Sequence, residues 1–338
     1  MPASDPPGLD LARVTGWLDA AKPGLRQGEL TAEVIAGGRS NLTYRVTDGS
    51  RTWALRRPPL GHVLPTAHDM AREYTVISAL HGSAVPVPEP VALCTEAAVL
   101  GQPFYLMSFI DGIVLEKPGL VPDRRSAARA SELLVDTLVA LHRIDPVQVG
   151  LADFGRPDGF LQRQVARWHK QFQASVPEGM PIEDEVARRL KHTVPPQRKA
   201  GIVHGDYRLT NVLFAPTFDR ISAVVDWEMA TLGDPLTDLG LLFVYHSQAG
   251  SGDSVMPNFP SEQGFFTPQQ LLDRYAERTG QALAGLDWYI GLGYFKLAVI
   301  AAGIHARYLQ GKTVGSGFET FGTLRDTMLA AAADRLPA

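Results

Sequence analysis

The most informative segment of the chain is His204-Gly205-Asp206-Tyr207-Arg208-Leu209-Thr210-Asn211. Fifteen residues after Asn211, a hydrophobic run leads into Asp226-Trp227-Glu228. Phosphoryl transfer uses side chains of this kind: a carboxylate near the acceptor, then an amide and a second carboxylate whose oxygens can hold Mg²⁺. A lone His-Gly-Asp is common in turns, whereas the complete ordered set predicts a catalytic loop.

The chain on either side of these motifs divides into two regions of different periodicity, which predicts an α+β fold. Residues 1–111 predict a small antiparallel β lobe with one helix beside its sheet, followed by a hinge at about 107–112. Residues 112–338 predict a larger, mainly helical lobe that contains the catalytic loop. The predicted strands are Ala32–Ala36, Thr43–Thr47, Thr52–Arg57, Val91–Cys94 and Phe104–Ile110, with short strands within Ile202–Phe214 and Ile221–Trp227. The predicted helices are Leu11–Ala21, Thr66–His81, Arg124–Arg143, Phe160–Ala174, Glu183–His192, Leu236–Ser247, Pro268–Thr279, Leu286–Leu309 and Phe318–Ala333.

Length, charge and cysteine content exclude several classes of protein. The 338 residues suffice for about two packing units, and a net charge of −4 argues against a nucleic-acid binder with a large basic surface. The single cysteine, Cys94, permits no intramolecular disulfide and fits a reducing compartment. The most apolar stretch, Leu286–Ile304, is interrupted by Asp287 and Lys296, and the N-terminus does not read as a secretion signal. We therefore expect a cytoplasmic protein that binds neither nucleic acid nor a membrane.

The two motifs, HGDYRLTN and DWE, resemble the aminoglycoside phosphotransferase and choline kinase family. They are most similar to the kinase-like domain fused to some acyl-CoA dehydrogenases, and the resemblance covers roughly Ala32–Leu239. It implies a bilobal protein-kinase-like fold in which Asp206 is the catalytic base and Asn211 and Asp226 hold Mg²⁺. Arg208 lies where a cation would meet the charge on the transferred phosphoryl group. The plain alternatives are a surface arginine at 208 and a turn residue at 226.

The resemblance also implies that residues of the third strand and the following helix bind the nucleotide. Ala54 and Arg56 share one face of that strand, where the family has a small residue against adenine and a cation on the phosphates. The cation is Arg here, as in choline kinases, where Lys is commoner. Glu73 follows 17 residues later and is placed to pair with Arg56, unless it is an exposed helical carboxylate. Arg57, on the opposite face, is the competing cation.

Two further segments complete the predicted nucleotide site. The loop between the first two strands lies where a phosphate-covering loop belongs, and we expect Gly38, Ser40 and Asn41 to contact the phosphates. Because the loop does not read G-x-G-x-x-G, a plain hairpin turn is the alternative. Ser108 and Ile110 lie in a segment that resembles the family's hinge, whose backbone hydrogen-bonds adenine.

Together these residues predict a phosphotransferase that uses ATP and Mg²⁺ and acts on a hydroxyl of a small molecule. Six residues separate Asp226 from Gly233, which leaves no room for a segment that presents a peptide. Asp234 and Asp238, directly after that point, are expected to brace the catalytic loop. The alternatives are an idle nucleotide-binding module on the same fold and a metal-dependent hydrolase. The hydrolase lacks a second cluster of His and Asp ligands.

The acceptor is the least defined part of this prediction. Residues 241–338 contain eight Asp and Glu against seven Lys and Arg, which does not favour a strongly acidic pocket for a polycationic antibiotic. Tyr245, Trp288, Tyr289 and Tyr308 either contact the substrate or pack the core of the helical lobe. The sequence therefore favours a neutral or partly apolar alcohol.

Overall fold

The fold is that of a computed structural model, which describes residues 5–35, 41–60, 69–247, 259–313 and 316–337. The chain forms two compact units. The first unit consists of Met1–Gly112 and Ser222–Ala230, and the second of Ile113–Ile221 and Thr231–Ala338. The segment 222–230 thus belongs to the same unit as the N-terminal region. The boundary predicted from the sequence, after residue 111, places this segment in the C-terminal lobe instead.

The first unit is built on an antiparallel sheet. Among its described residues the strands of this sheet are β1 Thr31–Val34, β2 Leu42–Thr47, β3 Thr52–Arg57, β4 Pro90–Cys94 and β5 Phe104–Ser108. Their order is β1-β2-β3-β5-β4, and each neighbouring pair is antiparallel. Trp53 and Leu55 of β3 are buried in the hydrophobic cluster of the unit. Because side chains alternate along a strand, Ala54 and Arg56 lie on the opposite face, as predicted.

Three helices belong to the described residues of the first unit: α1 Leu11–Ala21, α2 Met70–Leu80 and α3 Ala97–Leu100. Helix α2 begins at Met70, because Asp69 has an extended backbone and its side chain caps the N–H of Arg72 over 3.0 Å. The start predicted for this helix, Thr66, lies outside the described residues. Strand β5 ends at Ser108 and not at Ile110, because its pairing with β3 ends there.

The hydrophobic cluster of the first unit joins α1 to one face of the sheet. Val14 and Leu18, four residues apart on α1, are fully buried in it. The ring of Trp17 packs edge-on against Phe104, with centroids 4.9 Å apart. Cys94 is a free cysteine buried in the same cluster, where it acts as a small hydrophobic residue.

The second unit is mainly helical. The chain from Ile113 onward contains short strands at β6 Ile113–Val114, β7 Gly201–Val203, β8 Val212–Phe214, β9 Ile221–Val224 and β10 Thr231–Gly233, and β9 runs on into the first unit. Strand β7 pairs with β10 and β6 with β8, both antiparallel. Every helix predicted for this region is present, and its ends lie within three residues of the prediction. These helices are α4 Arg124–Arg143, α5 Phe160–Ser175, α6 Pro181–His192, α7 Leu236–Ser247, α8 Pro268–Thr279, α9 Leu286–Leu309 and α10 Phe321–Arg335.

Helix α9 is the core helix of the second unit. Among the described residues it alone is long and apolar enough to cross a membrane by length and composition. However, 72% of its most apolar window is buried inside the protein, as in a core helix. The charge of Lys296 in the middle of this helix is also buried.

Helices α7 and α9 approach each other closely because glycines line their contact. A Cβ on Gly240 of α7 would lie 2.5 Å from the backbone oxygen of Tyr289 on α9. A Cβ on Gly293 of α9 would lie 3.1 Å from a methyl carbon of Val244. This close approach fixes the position of α7 on the core helix.

Substituting Gly240 tests this packing. We expect Gly240→Ala to lower the free energy of unfolding by about 1–3 kcal/mol, because the added methyl group meets rigid backbone. Gly303→Ala is the matched control on α9, since its Cβ would have no neighbour closer than 3.6 Å. Alanine there should be neutral or stabilising by up to about 1 kcal/mol. Urea denaturation followed by circular dichroism measures both, and equal stabilities of the two variants would contradict the packing argument.

Candidate functional site

A buried carboxylate holds the predicted catalytic loop, which lies between β7 and β8 of the second unit. Asp238, in the first turn of α7, accepts the backbone N–H groups of His204 over 2.7 Å and Gly205 over 2.8 Å. Lys296 of α9 donates to the carbonyl oxygen of Gly205, a residue with φ of +85° that suits glycine. Burial disfavours the charge on Asp238, but the hydrogen bond and charge of His142 and the contacts of His204 keep its pKa below the usual range. Asp238 therefore braces the loop, as the sequence predicts.

The carboxylate of Asp206 receives a hydrogen bond on each of its oxygens. Asn211 donates its amide to Oδ2 over 2.9 Å and to the backbone oxygen of Asp206 over 2.8 Å. Tyr245 of α7 donates its hydroxyl to Oδ1. The Nε of Arg208 lies 3.5 Å from Oδ2, and its guanidinium carbon lies 5.0 Å from the centre of the Tyr245 ring. The three residues predicted in this loop therefore meet around one carboxylate.

In the first unit, one cation lies among three carboxylates. Arg56 binds Glu73 of α2 through Nε, over 3.0 Å, and binds Asp226 through its terminal nitrogen. Glu228 accepts the amide of Asn41 over 2.9 Å. Glu73 is 1% exposed, so the alternative of an exposed helical carboxylate is wrong. The pairing of Arg56 with Glu73 agrees with the sequence prediction.

The electrostatics of this cluster follow from its burial and its excess of carboxylates. Burial raises the pKa of Glu73 to about 7 despite the attraction of Arg56, and the charges of Asp226 and Glu228 add to the rise. Burial also opposes the charge of Arg56, but the surrounding carboxylates, Glu73 first, raise its pKa above the ordinary value. The cluster therefore contains more carboxyl groups than the single guanidinium group of Arg56 can pair with.

The backbone at Asp226 has a conformation that is uncommon outside glycine, with φ of +67°. The next residue, Trp227, is buried and donates its indole N–H to the backbone oxygen of Val224 over 3.0 Å. Arg72 of α2 donates to the backbone oxygen of Ala230 over 3.1 Å. These contacts hold the segment in a strained turn, and such strain is concentrated at functional sites.

The other residues predicted to bind the nucleotide lie in the first unit. Ala54 is buried on β3, opposite Met107 of β5. The backbone N–H of Ser108 donates to the backbone oxygen of Glu89 over 2.8 Å. In return, the backbone N–H of Glu89 donates to the hydroxyl oxygen of Ser108 over 2.9 Å. Ile110 is half-buried beyond the end of β5. The backbone N–H of Ser108 is thus used within the sheet, and a hinge contact with adenine stays a prediction.

The phosphate-loop prediction is covered by the structure only in part. Gly38 and Ser40 lie outside the described residues. Asn41 is 1% exposed, and its side-chain oxygen has no hydrogen-bond partner among the described residues. Arg57, the competing cation, is buried and donates to the backbone oxygens of Gly8 and Pro58. Arg56 is therefore the cation of the cluster.

Two of the aromatic residues suggested for substrate contact serve the core instead. Trp288 is 4% exposed and donates its indole N–H to the backbone of Leu190 over 3.1 Å. Tyr289 is fully buried and donates its hydroxyl to Asp234 over 2.7 Å. A substrate role for Trp288 and Tyr289 is therefore wrong, because their side chains are enclosed and already bonded.

Sequence reasoning missed two residues that support the loop. Lys296 is a buried ammonium group on an apolar helix, and burial lowers its pKa against the attraction of Asp206 and Asp238. His142, expected to be a packing or surface residue, is hydrogen-bonded to Asp238 at 3.4 Å and to the hydroxyl of Tyr275 at 2.8 Å. The sequence does contain a signal for Lys296, because a lysine in the middle of an otherwise apolar helix is unusual.

Sequence comparison finds a matching family model and curated relatives that match most of this chain. Residues 31–289 match the family model described as phosphotransferase enzyme family. The chain is 32% identical over 323 residues to acyl-CoA dehydrogenase family member 11 of Gallus gallus. That match includes 93% of this chain and 42% of the relative. The chain therefore spans about two fifths of the length of the curated relative.

Solved structures share the fold. A crystal structure from Ralstonia eutropha JMP134, of a chain assigned to the aminoglycoside phosphotransferases, has a TM-score of 0.80 and 29% identity. It covers 96% of this chain and 98% of its own. A thermostable mutant of aminoglycoside phosphotransferase APH(4)-Ia, in ternary complex with AMP-PNP and hygromycin B, has a TM-score of 0.59 at 16% identity. It covers 95% of this chain and 99% of its own, and at that identity the similarity concerns the fold alone.

Replacing Glu73 by Gln tests the electrostatics of the first-unit cluster. The folded-state pKa of Glu73, about 7, is above its ordinary value of 4.5. The wild-type protein should therefore lose stability as the pH rises through that interval. We expect Glu73→Gln to gain stability relative to the wild type between about pH 5 and pH 8, in denaturation without nucleotide or divalent metal.

The matched control is Glu185→Gln on α6. Hydrogen bonds from Arg188 and Arg189 lower the pKa of Glu185 to about 2. Ionised Glu185 therefore stabilises the folded state, and this stability is lost only as the pH falls to acid values. The effect is small because solvent screens the exposed charges. A difference between the wild type and Glu73→Gln that does not change with pH would contradict the assignment.

Proposed function

The chain belongs to the phosphotransferase enzyme family, and on that basis we propose that it transfers the γ-phosphoryl group of ATP to a hydroxyl of a small molecule. The comparisons confirm the family and the protein-kinase-like fold, which the resemblance of the HGDYRLTN and DWE motifs implies, and the α+β class, which the periodicity predicts. The finer assignment is supported by one observation above all. Asp206 and Asn211 are hydrogen-bonded on a braced loop, in the order that phosphoryl transfer requires.

In the proposed reaction, Asp206 accepts the proton of the acceptor hydroxyl. The oxygen of that hydroxyl forms a bond to the γ-phosphorus, the bond from phosphorus to the bridging oxygen breaks, and ADP leaves with the electron pair. Arg208 contributes positive charge beside the oxygens of the transferred group. Asp238 and Lys296 position the loop, so that little reorganisation is needed when the substrate binds.

We assign nucleotide binding to the residues of the first unit. Arg56 supplies positive charge for the phosphates. The buried side-chain oxygen of Asn41, which has no hydrogen-bond partner within the described ranges, is available to a ligand. Ala54 leaves room for a flat base against β3, because its side chain is small. Gly38, Ser40, Ser108 and Ile110 keep their predicted roles on the phosphates and adenine. The bound AMP-PNP of the APH(4)-Ia complex supports nucleotide binding on this fold.

The residues proposed for the metal fit Mg²⁺ by the chemistry of their donors. Asp226 offers carboxylate oxygen, and Asn211 directs its nitrogen to Asp206, so its amide oxygen points away from that contact. Hard oxygen ligands of this kind suit Mg²⁺. The carboxylate excess around Arg56 also favours a divalent cation. When bound, Mg²⁺ would neutralise phosphate charge; the residues of the chain do the positioning and the proton transfer.

For the acceptor, we keep the proposal of a neutral or partly apolar alcohol. The near-equal numbers of charges in residues 241–338 support it, and Tyr245 brings an aromatic ring to the catalytic carboxylate. Tyr308 is 38% exposed and is the other aromatic residue of the predicted four that is accessible. Hygromycin B is the ligand of a neighbour that shares only the fold.

Substituting the proposed base is the direct test of the function. ADP release is measured with a panel of hydroxylated metabolites, hydroxylated acyl compounds and aminoglycosides at several salt concentrations. Asp206→Asn should lower phosphoryl transfer by orders of magnitude and leave ATP affinity nearly unchanged, because the amide cannot accept the proton. Asp158→Asn, at an exposed loop position, is the control and should have wild-type activity.

Three outcomes would contradict parts of this proposal. Near-normal transfer by Asp206→Asn would remove that residue from the mechanism. ATP binding without turnover on any acceptor would favour the idle nucleotide-binding module. Efficient turnover of a polycation that weakens as salt rises would overturn the preference for a neutral acceptor.

The metal assignment is tested by removing one ligand. We expect Asp226→Ala to weaken the binding of ATP in the presence of Mg²⁺ by at least about tenfold, because a charged oxygen ligand is lost. Calorimetry with and without Mg²⁺ measures the effect, and Glu33→Ala, at an exposed carboxylate of the same unit, is the control. Equal affinities of wild type and Asp226→Ala for Mg·ATP would exclude Asp226 as a ligand.

A further inference from the structure

Tyr245 occupies a position that the proposed reaction requires for the acceptor. Its hydroxyl donates to Oδ1 of Asp206, while Asn211 donates to Oδ2 and Arg208 lies on the Oδ2 side. An acceptor hydroxyl that loses its proton to Asp206 must donate to the same carboxylate. Oδ1 is the oxygen that faces away from the Asn211 contact, and Tyr245 holds it.

This placement is built into the helix. Tyr245 follows Asp238 by seven residues, which puts both side chains on the same face of α7. Asp238 fixes the backbone of the loop, and Tyr245 reaches its carboxylate. The guanidinium of Arg208 packs on the ring of Tyr245 and holds the phenol in this orientation. All residues of this contact therefore belong to the second unit.

Resting on the proposed function, we propose that Tyr245 is a specificity-determining residue that directs the phosphoryl group to the acceptor and away from water. Its hydroxyl holds Oδ1 of Asp206 until an acceptor hydroxyl replaces it. Water at the same position would lose a proton to Asp206 and attack the γ-phosphorus, so that ATP would be hydrolysed to ADP and inorganic phosphate and no acceptor would be phosphorylated. Tyr245 prevents this loss while the acceptor site is empty.

The physical basis is a difference in hydrogen-bond strength and in binding. A phenol is a stronger acid than water, so its O–H is the better donor to a carboxylate, and water alone does not displace it. An acceptor alcohol is also a weaker donor than a phenol. Contacts elsewhere on its molecule hold it in place, however, and these contacts can drive the exchange. The exchange replaces one O–H donor on Oδ1 by another, so its own cost is small.

The test measures ADP formation from Mg·ATP in the absence of any acceptor. Tyr245→Phe removes the hydroxyl and keeps the ring on Arg208. We expect its acceptor-free hydrolysis to rise about tenfold over the wild type, the factor expected for the loss of one hydrogen bond to a charged group. Transfer to an acceptor should be retained, so that the ratio of hydrolysis to transfer rises. A purely structural role for the hydroxyl would not raise this ratio.

Two further variants isolate the effect. Tyr294→Phe removes a hydroxyl bonded to Ser247 at 2.6 Å in the same unit, and it should leave acceptor-free hydrolysis unchanged. Tyr245→Phe combined with Asp206→Asn should lose the gain, because the activated water needs the base. Thermal unfolding of each variant verifies that the fold is intact.

The results separate this proposal from the proposed function. If the wild type binds ATP and transfers to an acceptor, an unchanged or lower hydrolysis rate in Tyr245→Phe overturns the role of Tyr245 and leaves the function standing. Phosphate found on Tyr245 by mass spectrometry after incubation with Mg·ATP also overturns it, because the phenol would then be an acceptor itself. Failure of the wild type to turn over ATP with any acceptor overturns the proposed function, and the role of Tyr245 with it.

Discussion

The two hydrogen bonds from the backbone of His204 and Gly205 to the carboxylate of Asp238 determine where the proposed catalytic loop lies. A loop with a left-handed residue at Gly205 has no regular structure to fix it, so its position depends on contacts with rigid elements. Asp238 lies in the first turn of α7, and Gly240 lets α7 approach α9. Lys296 of α9 in turn donates a hydrogen bond to the carbonyl oxygen of Gly205. The loop is thus held from both sides by two helices that also hold each other.

This arrangement explains why buried charges are tolerated near the loop. An unpaired buried carboxylate would be costly, but Asp238 accepts two backbone N–H groups and contacts His142. The ammonium group of Lys296 donates to a backbone oxygen and lies 5.5 Å from the centre of the Trp168 ring. Each charge is therefore compensated by groups that cannot move independently. The buried charges of Asp238 and Lys296 thus fix the backbone that precedes Asp206.

The sequence predicts the family, the fold class and most helices, because these depend on spacing along one chain. The pairing of Arg56 with Glu73 is also predictable, since strand alternation and helix position limit the choice. The enclosure of Trp288 and Tyr289 is not, because an aromatic residue on an apolar helix reads the same whether it faces a substrate or the core. The bond from Tyr245 to Asp206 joins residues 39 positions apart, and no local pattern reports such a contact.

The arginine at position 56 also compensates buried charge, because it pairs with the carboxylates around it. A lysine is a point charge on a flexible stem, whereas the guanidinium group presents donors in a planar fork. Arg56 uses this fork to bind Glu73 through Nε and Asp226 through a terminal nitrogen at the same time. With three carboxylates in the cluster, a cation that engages two of them relieves more repulsion than a single contact would. The departure from the commoner lysine is therefore matched to the carboxylates around it.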